Sequence, residues 1–335
     1  MSEGNNRVIP ARWSILALAF CLLLGCTPRR PATDLYVDAV ALRELGQNEL
    51  AVSKLKAVIA ADPDFALAHA ELGKAYQALE DRTKALTAFE QAAKLAPWSA
   101  QDHLNLARIY EAMGNYAPAA QSYARAAELD SKSFEALTGA ARCYLQSGQP
   151  TKSQMYCELA EKTGAKPEEA LLLLAHAYEA QKDYEQAIEV YRHLLAFDGD
   201  NPNVLRSLGV SYLKAGQYDR AREVLTLAAR KQPEDGAAFH DLGYCFIKLG
   251  DNDQAMQMYQ RSIDLDGKDW EAYRGLGVAM MLKARATQDA RLETEAVRHW
   301  QHSLLIRPDQ PKREVLEKLI REHSRLQNSL EGLNY

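Results

Sequence analysis

The sequence lacks the short motifs by which many enzymes and cofactor-binding proteins are recognised. Its 335 residues include no P-loop, no dinucleotide-binding glycine pattern and no nucleophile elbow. The histidines form no HExxH motif, and the 5 cysteines form no Cys-x-x-Cys pair of the kind found in zinc and redox sites. We therefore predict no catalytic activity, no cofactor and no bound metal.

The sequence is also poor in blocks of like charge and in long apolar runs. The formal net charge is −5 and is spread along the chain without an acidic or basic tail, so a nucleic-acid partner is not expected. The apolar stretch Trp13–Leu24 has about 12 residues, whereas a helix needs about 20 to cross a bilayer. This stretch is therefore too short to be a membrane-spanning helix.

What the chain does contain is a repeated pattern. Residues 202–235 hold an apolar stripe at helical spacing, a break at Gly216, a second apolar stripe and a terminal Pro233. Small residues at Gly209 and Ala221 would let two antiparallel helices approach closely. Steps of about 34 residues in both directions find the same order of residues, and the last copy carries about seven extra residues within 283–295.

The order Leu-Gly-x-x-Tyr, Gly-x-Tyr, Ala, Ala, Pro in this unit resembles the tetratricopeptide repeat (TPR), whose period is about 34 residues. The resemblance covers about eight copies, from about residue 32 to residue 310. It implies an all-α fold, a right-handed superhelical solenoid of about eight helix-turn-helix repeats. The family is defined by packing residues, so the resemblance implies partner binding rather than chemistry.

The end of the chain departs from the repeat in two ways. The extra residues in the eighth copy are polar and favour helix, which predicts longer helices or a projecting helical corner. After Pro311, the apolar residues from Val315 to Leu330 lie on one face of an amphipathic helix. We predict that residues 312–329 form a capping helix, since a solenoid must cover its last apolar face. A helix that binds a partner or a membrane is the alternative.

The beginning of the chain predicts a secretory signal. Arg7 and Arg12 precede the short apolar run, which ends in Leu23-Leu24-Gly25-Cys26. That ending resembles the lipobox of bacterial lipoproteins, in which the signal is removed before the cysteine and the cysteine is acylated. We therefore predict a signal peptide at residues 1–25, a lipidated Cys26 with a short tether to residue 34, a solenoid at 35–310, and the cap and tail at 311–335. An uncleaved hydrophobic anchor is the alternative.

The predicted location is the bacterial cell envelope. In lipoproteins an aspartate after the acylated cysteine resembles an inner-membrane retention signal, and here Thr27 stands at that place. The resemblance thus favours the outer membrane, with the solenoid facing the periplasm. Several acyl chains would hold the protein there essentially permanently.

The first helix of each repeat carries the candidate binding residues. Each repeat is numbered 1 to 34, with Pro202 as position 1 of the sixth copy, and in TPR proteins positions 2, 5, 9, 12 and 13 line a concave groove for peptides. The predicted groove residues, from positions 5 and 9, are Lys74, Arg108, Arg142, His176, Val210, His240, Tyr244 and Val278. The first three would form a row of cations, and the later ones are more apolar, which predicts an acidic peptide that also carries apolar residues. Ordinary solvated charges are the alternative, and only Asn105 resembles part of the TPR carboxylate clamp.

We use the word column for the residues that occupy the same position in successive repeats. Most of the remaining cysteines and histidines fall in columns of packing residues. Cys143, Cys157 and Cys245 share columns with apolar residues, so we predict buried free thiols, with a disulfide as the alternative. His69 and His103 share a column of leucine and aromatic residues, which favours packing over metal binding.

Taken together, the patterns predict a lipid-anchored extracytoplasmic scaffold that binds a protein partner in its groove. It is similar to envelope lipoproteins of this repeat class, such as pilus and secretin assembly factors or adaptors of cell-wall enzymes. An enzyme with a site built in the groove, and a cytoplasmic TPR regulator whose N-terminus is not a signal, are the alternatives.

Overall fold

The computed structural model describes residues 32–197 and 199–331. Every regular element in these ranges is an α-helix, and there are 17 of them. In chain order, α1 to α17 are Ala32–Glu44, Asn48–Ala61, Ala66–Ala78, Arg82–Leu95, Ala100–Ala112, Tyr116–Leu129, Phe134–Gln146, Pro150–Lys162, Pro167–Gln181, Tyr184–Phe197, Pro202–Lys214, Tyr218–Lys231, Gly236–Leu249, Asn252–Leu265, Trp270–Thr287, Ala290–Ile306 and Arg313–Glu331.

In chain order the helices α1 to α16 make eight consecutive pairs with short connections. The two helices pack together in the pairs α1–α2, α3–α4, α5–α6, α9–α10, α11–α12, α13–α14 and α15–α16. Within each of the two units described below, the second helix of a pair also packs against the first helix of the next pair, as α2 does with α3 and α14 with α15. This pairing confirms the predicted all-helical stack of about eight repeats. None of the described helices is both long and apolar enough to span a membrane.

Small residues set the distance between the two helices of a repeat. Ala221 is fully buried, and so are the alanines at the same position in other copies, such as Ala51 and Ala119. At Gly209 an added Cβ atom would lie 2.5 Å from the Cγ and Cδ2 atoms of Leu225, closer than carbon atoms can pack. The close approach predicted for this pair is therefore confirmed.

The chain divides into two compact units, residues 1–136 and 137–335, and each is described by itself. The described part of the first unit, from residue 32, packs around a core that includes Leu55, Phe89 and Ile109. The second unit contains one core around Tyr191, Leu208 and Leu225, and another around Tyr259, Leu276 and Trp300.

The eighth repeat has longer helices than the others. Helix α15 has 18 residues and α16 has 17, whereas α13 and α14 have 14 each. The extra residues therefore lengthen both helices, as predicted. Helix α17 follows, and its Leu316 is buried against the core that contains Trp300, with Leu319 and Ile320 packed beside it. It caps the stack, while Val315 stays exposed on the same helix.

The cysteine prediction is confirmed, because Cys143, Cys157 and Cys245 are buried and form no disulfide within the described residues. Burial raises the pKa of Cys157 to about 12 and that of Cys245 to about 11. The imidazoles of His69 and His103 lie within hydrogen-bond distance of the carbonyl oxygens of Pro63 and Pro97, at 3.0 and 3.2 Å. Both histidines thus have a structural role in the turn that precedes their helix.

Candidate peptide-binding groove

A cavity of about 520 Å³ opens in the second unit, where side chains from three helices lie close together. The walls come from α13 and α15, the first helices of the seventh and eighth repeats, and from the capping helix α17. The residues that line it are His240, Tyr244, Ile247, Lys248, Tyr259, Glu271, Arg274, Gly275, Val278, Trp300, Pro311, Lys312, Val315, Leu316 and Leu319. Most of those from α13 and α15 occupy the repeat positions that the sequence assigns to the groove.

The floor of this cavity is aromatic. Tyr259 of α14 and Trp300 of α16 are buried beneath the first helices. The indole Nε1–H of Trp300 donates to the carbonyl oxygen of Arg274 over 3.2 Å, which fixes the ring in place. The floor therefore offers a rigid apolar surface.

Several apolar side chains in the walls of the cavity are exposed to solvent, although side chains of this kind are usually buried by packing. Tyr244 is 43% exposed, Val278 is 36% exposed and Val315 is 57% exposed. The three residues come from three different helices and border one cavity. When an apolar side chain of a ligand binds here, the free energy of binding becomes more favourable by about 25 cal/mol for each Å² of apolar surface removed from water.

The rim of the cavity carries more positive than negative charge. Lys248, Arg274 and Lys312 line it, with Glu271 as the one carboxylate among the lining residues. The Arg274 guanidinium lies 4.8 Å from the centre of the Trp270 ring, and its Nη1 donates to the Pro311 carbonyl oxygen over 3.3 Å. The Lys248 ammonium lies 5.2 Å from the centre of the Tyr244 ring. This rim favours an anionic group beside the apolar contact.

His240 forms the edge of the cavity and belongs to a polar cluster. Its Nδ1 lies 3.6 Å from Oδ2 of Asp269, which also accepts a hydrogen bond from the Ser262 hydroxyl over 2.9 Å. Burial by itself lowers the pKa of His240, but Asp269, Asp241 and Glu271 outweigh it and raise the pKa. Burial by itself raises the pKa of Asp269, but the contacts with His240, Ala272 and Ser262 lower it to about 2.

This cluster ties adjacent repeats together. The Ser262 hydroxyl also lies 2.8 Å from the Gly236 carbonyl oxygen, and Asp269 caps helix α15 by accepting from the Ala272 N–H. Arg206 on α11 likewise donates to Asp241 on α13 over 2.8 Å. These side chains hold α11, α13 and α15 in place, and they position the groove wall without forming a nucleophile and base pair.

Two of the predicted cations lie in the first unit, and both have partners within the chain. The Lys74 ammonium donates to Glu71 over 2.7 Å. Arg108 makes a two-pronged bond to Glu135 over 2.6 and 2.7 Å, which is the main reason that its pKa is raised. A ligand carboxylate at either place would have to compete with these internal carboxylates.

The structure thus brings together three of the eight predicted groove residues, His240, Tyr244 and Val278. Arg142, His176 and Val210 are half-buried on α7, α9 and α11 in the second unit and do not line this cavity. His176 lies beside Tyr191, with the ring centres 6.3 Å apart. Within the described residues there is no cluster of three side chains suited to a metal ion. Cys26 lies outside the described residues, so its lipidation stays a prediction.

The sequence interpretation missed the contribution of α17 to the groove. Lys312, Val315 and Leu319 line the cavity, although the sequence assigned this segment to a cap or, alternatively, to a binding helix. The numbering of the repeat, continued past Pro311, could have revealed this contribution. If Pro311 is position 1 of a ninth repeat, Lys312, Val315 and Leu319 fall at positions 2, 5 and 9, which belong to the groove set. The helix therefore serves as cap and groove wall at once.

Comparisons with known proteins agree with this architecture. Models of the tetratricopeptide repeat match residues 40–80, 66–97, 104–162, 175–216 and 212–285, and together they cover most of residues 40–285. A BBSome complex member BBS4 homolog from Drosophila melanogaster is 32% identical over 90 residues. That match covers 26% of this chain and only 18% of the relative.

Two solved structures are similar at low sequence identity. The crystal structure of the APC/C hetero-tetramer Cut9–Hcn1 is 15% identical with a TM-score of 0.52, and the match covers 82% of this chain and 52% of that chain. The pilF structure from Pseudomonas aeruginosa is 18% identical with a TM-score of 0.47, over 62% of this chain and 94% of that one. The eight helix pairs and the matched repeat models lead to one conclusion: the chain belongs to the tetratricopeptide repeat family.

Proposed function

We propose that this protein is a scaffold that holds a protein partner through an acidic segment with an apolar anchor residue. The observation that carries the proposal is the C-terminal cavity, in which an aromatic floor, exposed Tyr244 and Val278, and a basic rim lie together. The anchor residue enters the cavity, and carboxylates beside it face Lys248, Arg274 and Lys312. The cavity volume of about 520 Å³ falls within the range usual for ligand sites.

The two kinds of contact have different consequences for binding. Burial of one large apolar side chain contributes about 1.5–3 kcal/mol. An exposed ion pair contributes about 0–1 kcal/mol and weakens as salt rises. The cavity therefore sets the lifetime of the complex, and the charges on its rim set the association rate and the choice of partner.

A capture experiment tests this assignment. The full chain and its Tyr244→Ser variant are used to capture proteins from solubilised membranes, with Leu305→Ser as the matched control. Leu305 is exposed on α16 and does not line the cavity. We expect Tyr244→Ser to lose a protein that the parent and Leu305→Ser both retain. Retention of the same proteins by all three chains would refute the proposal.

The cations in the more N-terminal repeats extend the proposal to further acidic residues of the partner protein. Lys74 and Arg108 in the first unit, and separately Arg142 in the second, would exchange their internal partners for carboxylates of the partner, at a small net gain for each. The partner that is captured is then measured against the triple alanine variant at low and high salt. Weaker binding with a smaller salt dependence supports the extension, and unchanged binding in both buffers means that these cations are only solvated surface.

We further propose that the protein is anchored through Cys26 in the bacterial envelope, at the outer membrane and facing the periplasm, where it serves an assembly process such as that of pili or secretion channels. The support is the short apolar run that ends in Leu23-Leu24-Gly25-Cys26. Replacement of Cys26 by Ala should abolish metabolic labelling with palmitate and block removal of the signal. Labelling that persists in Cys26→Ala, or a mature N-terminus at another residue, would refute the anchor without affecting the groove.

A further inference from the structure

The first repeat exposes a face that is buried in every later repeat. The tenth position of the repeat lies on this face, and Ala41 occupies it in the first repeat, where it is exposed. The residues at the same position in the later repeats are at most 1% exposed, and they are Ala75, Ile109, Cys143, Ala177, Ser211, Cys245 and Ala279. The second helix of the preceding repeat packs against this side, as α2 does against α3. In the described part of the chain no helix precedes α1, and Ala41 is exposed there.

The uncovered face is a depression between α1 and α2, which we name the N-terminal face. It has a volume of about 470 Å³ and is lined by Asp38, Ala41, Leu42, Leu45, Leu50, Ser53 and Lys54. Leu45 is 74% exposed and Leu50 is 56% exposed. A single exposed leucine is ordinary, but two beside one apolar depression suggest an interaction surface.

Leu50 is unusual among its equivalents. Its position in the repeat is polar in five later copies, where it is held by Lys84, Lys152, Gln186, Arg220 and Gln254, and in one more copy it is Pro118. Those residues show that the internal packing of a repeat needs no leucine here. The leucine in the first repeat therefore suits a contact outside the repeat.

The charges on the N-terminal face determine which occupant fits. Its lining carries one acid and one base, with Lys54 Nζ and Asp38 Oδ2 3.3 Å apart. Such a patch attracts neither a strongly acidic nor a strongly basic partner. A two-fold axis sets a patch against itself, so the acid of one copy meets the base of the other and the leucines of one copy meet the depression of the other.

The preceding segment of the same chain fits less well. Trp13–Leu24 is apolar on all sides, whereas a helix that ends a solenoid needs a polar outer face. We propose that the N-terminal face binds a second copy of this chain and forms a two-fold symmetric dimer. Leu45 and Leu50 form the apolar centre of the interface, and Asp38 and Lys54 form reciprocal ion pairs across it. The proposal does not depend on the partner groove or on the lipid anchor.

Cysteine cross-linking in the full chain tests the dimer. Leu50→Cys is compared with Leu67→Cys, a matched control because Leu67 is 54% exposed on α3 and does not line the face. Cys143, Cys157 and Cys245 are buried, so the parent chain supplies the background of its remaining cysteines. With a short bismaleimide, Leu50→Cys should give at least several-fold more covalent dimer than Leu67→Cys.

Three results would overturn the proposal. Equal cross-linking of the two variants means that the face is simply exposed. An adduct of Leu50→Cys with a chain of another mass means that a different protein occupies it. Failure of Leu50→Cys to react even with a monofunctional maleimide means that another part of the same chain covers it.

A charge exchange between copies provides an independent test. A chain with Asp38→Lys presents two bases and a chain with Lys54→Asp presents two acids, so each alone should lose most of the Leu50→Cys cross-link. A mixture of the two restores opposite charges only across the interface between copies, so heterodimers should form at close to the parent yield. Undiminished cross-linking of either variant alone, or no recovery in the mixture, would refute the symmetric interface.

Discussion

Gly277 on α15 lies at a close approach between the two helices of the eighth repeat, against Trp300, which lines the cavity. A Cβ atom added there would lie 2.5 Å from the Cδ1 and Nε1 atoms of Trp300 and 2.9 Å from the carbonyl oxygen of Ala296. Trp300 is buried and bonded to the Arg274 carbonyl, and the Ala296 oxygen belongs to the backbone, so neither neighbour can yield without cost. Gly277→Ala should therefore force α15 and α16 apart.

The expected cost follows from overpacking, which destabilises by about 1–3 kcal/mol. Native-state hydrogen exchange is the suitable assay, because a solenoid opens locally and its repeats are nearly independent. Exchange in α15 and α16 should become roughly 5- to 150-fold faster, which is that energy converted at about 1.4 kcal/mol per factor of ten. Exchange in α1 to α6 should not change.

Gly236→Ala is the matched control within the same unit. The nearest heavy atom to its added Cβ would be the Ser262 carbonyl oxygen at 3.5 Å, an ordinary contact. Alanine stabilises a helix relative to glycine by up to about 1 kcal/mol. The backbone amides of this variant should therefore exchange at the same rate as those of the parent chain, or more slowly. Unchanged exchange in Gly277→Ala, faster exchange along the whole chain, or equal damage in Gly236→Ala would contradict the packing argument.

Two further predictions concern titratable groups. Because burial raises the pKa of Cys157 to about 12 and that of Cys245 to about 11, neither thiol should react with a maleimide at about pH 8 until its repeat unfolds; rapid labelling of the native protein would contradict this. The raised pKa of His240 predicts stability that is fully present below about pH 6.5 and is lost as the pH rises through the pKa of the folded state. His240→Gln should remove that loss in urea denaturation between roughly pH 6 and 9, and an unchanged pH slope would refute the assigned role.

The columns of the repeat explain why so much of the fold could be predicted from the sequence. A buried alanine such as Ala221, or a glycine such as Gly209, is required by the distance between two helices, and that requirement recurs in each copy. The long α15 and α16 also follow from local helix propensity. These features depend on residues that are close together in the chain, so their pattern can be recognised in the amino-acid sequence.

The candidate site was harder to predict because it depends on contacts between repeats. Arg108 looks like an available cation, yet its partner Glu135 lies on the next repeat and becomes apparent only when the helices are placed. The partner of Lys74 is Glu71, three residues earlier in the same helix, and this pair could have been predicted from the spacing. The role of Val315 in the cavity depends on α17 continuing the register of the first helices past an irregular repeat. The sequence therefore predicted His240, Tyr244 and Val278 as groove residues, and these three line one cavity, but it did not show that α17 lines the same cavity.

The central claim is that the cavity between α13, α15 and α17 holds the partner, and a photo-crosslinking amino acid inside it gives the most direct test. The cross-linker is placed at Val278 in the full chain inside the cells that produce it, with the same substitution at Leu305 as the control. We expect one strong adduct from Val278, mapped to a partner segment in which carboxylates flank an apolar residue, and no such adduct from Leu305. No adduct at Val278, or the same adducts at both positions, would contradict the central claim.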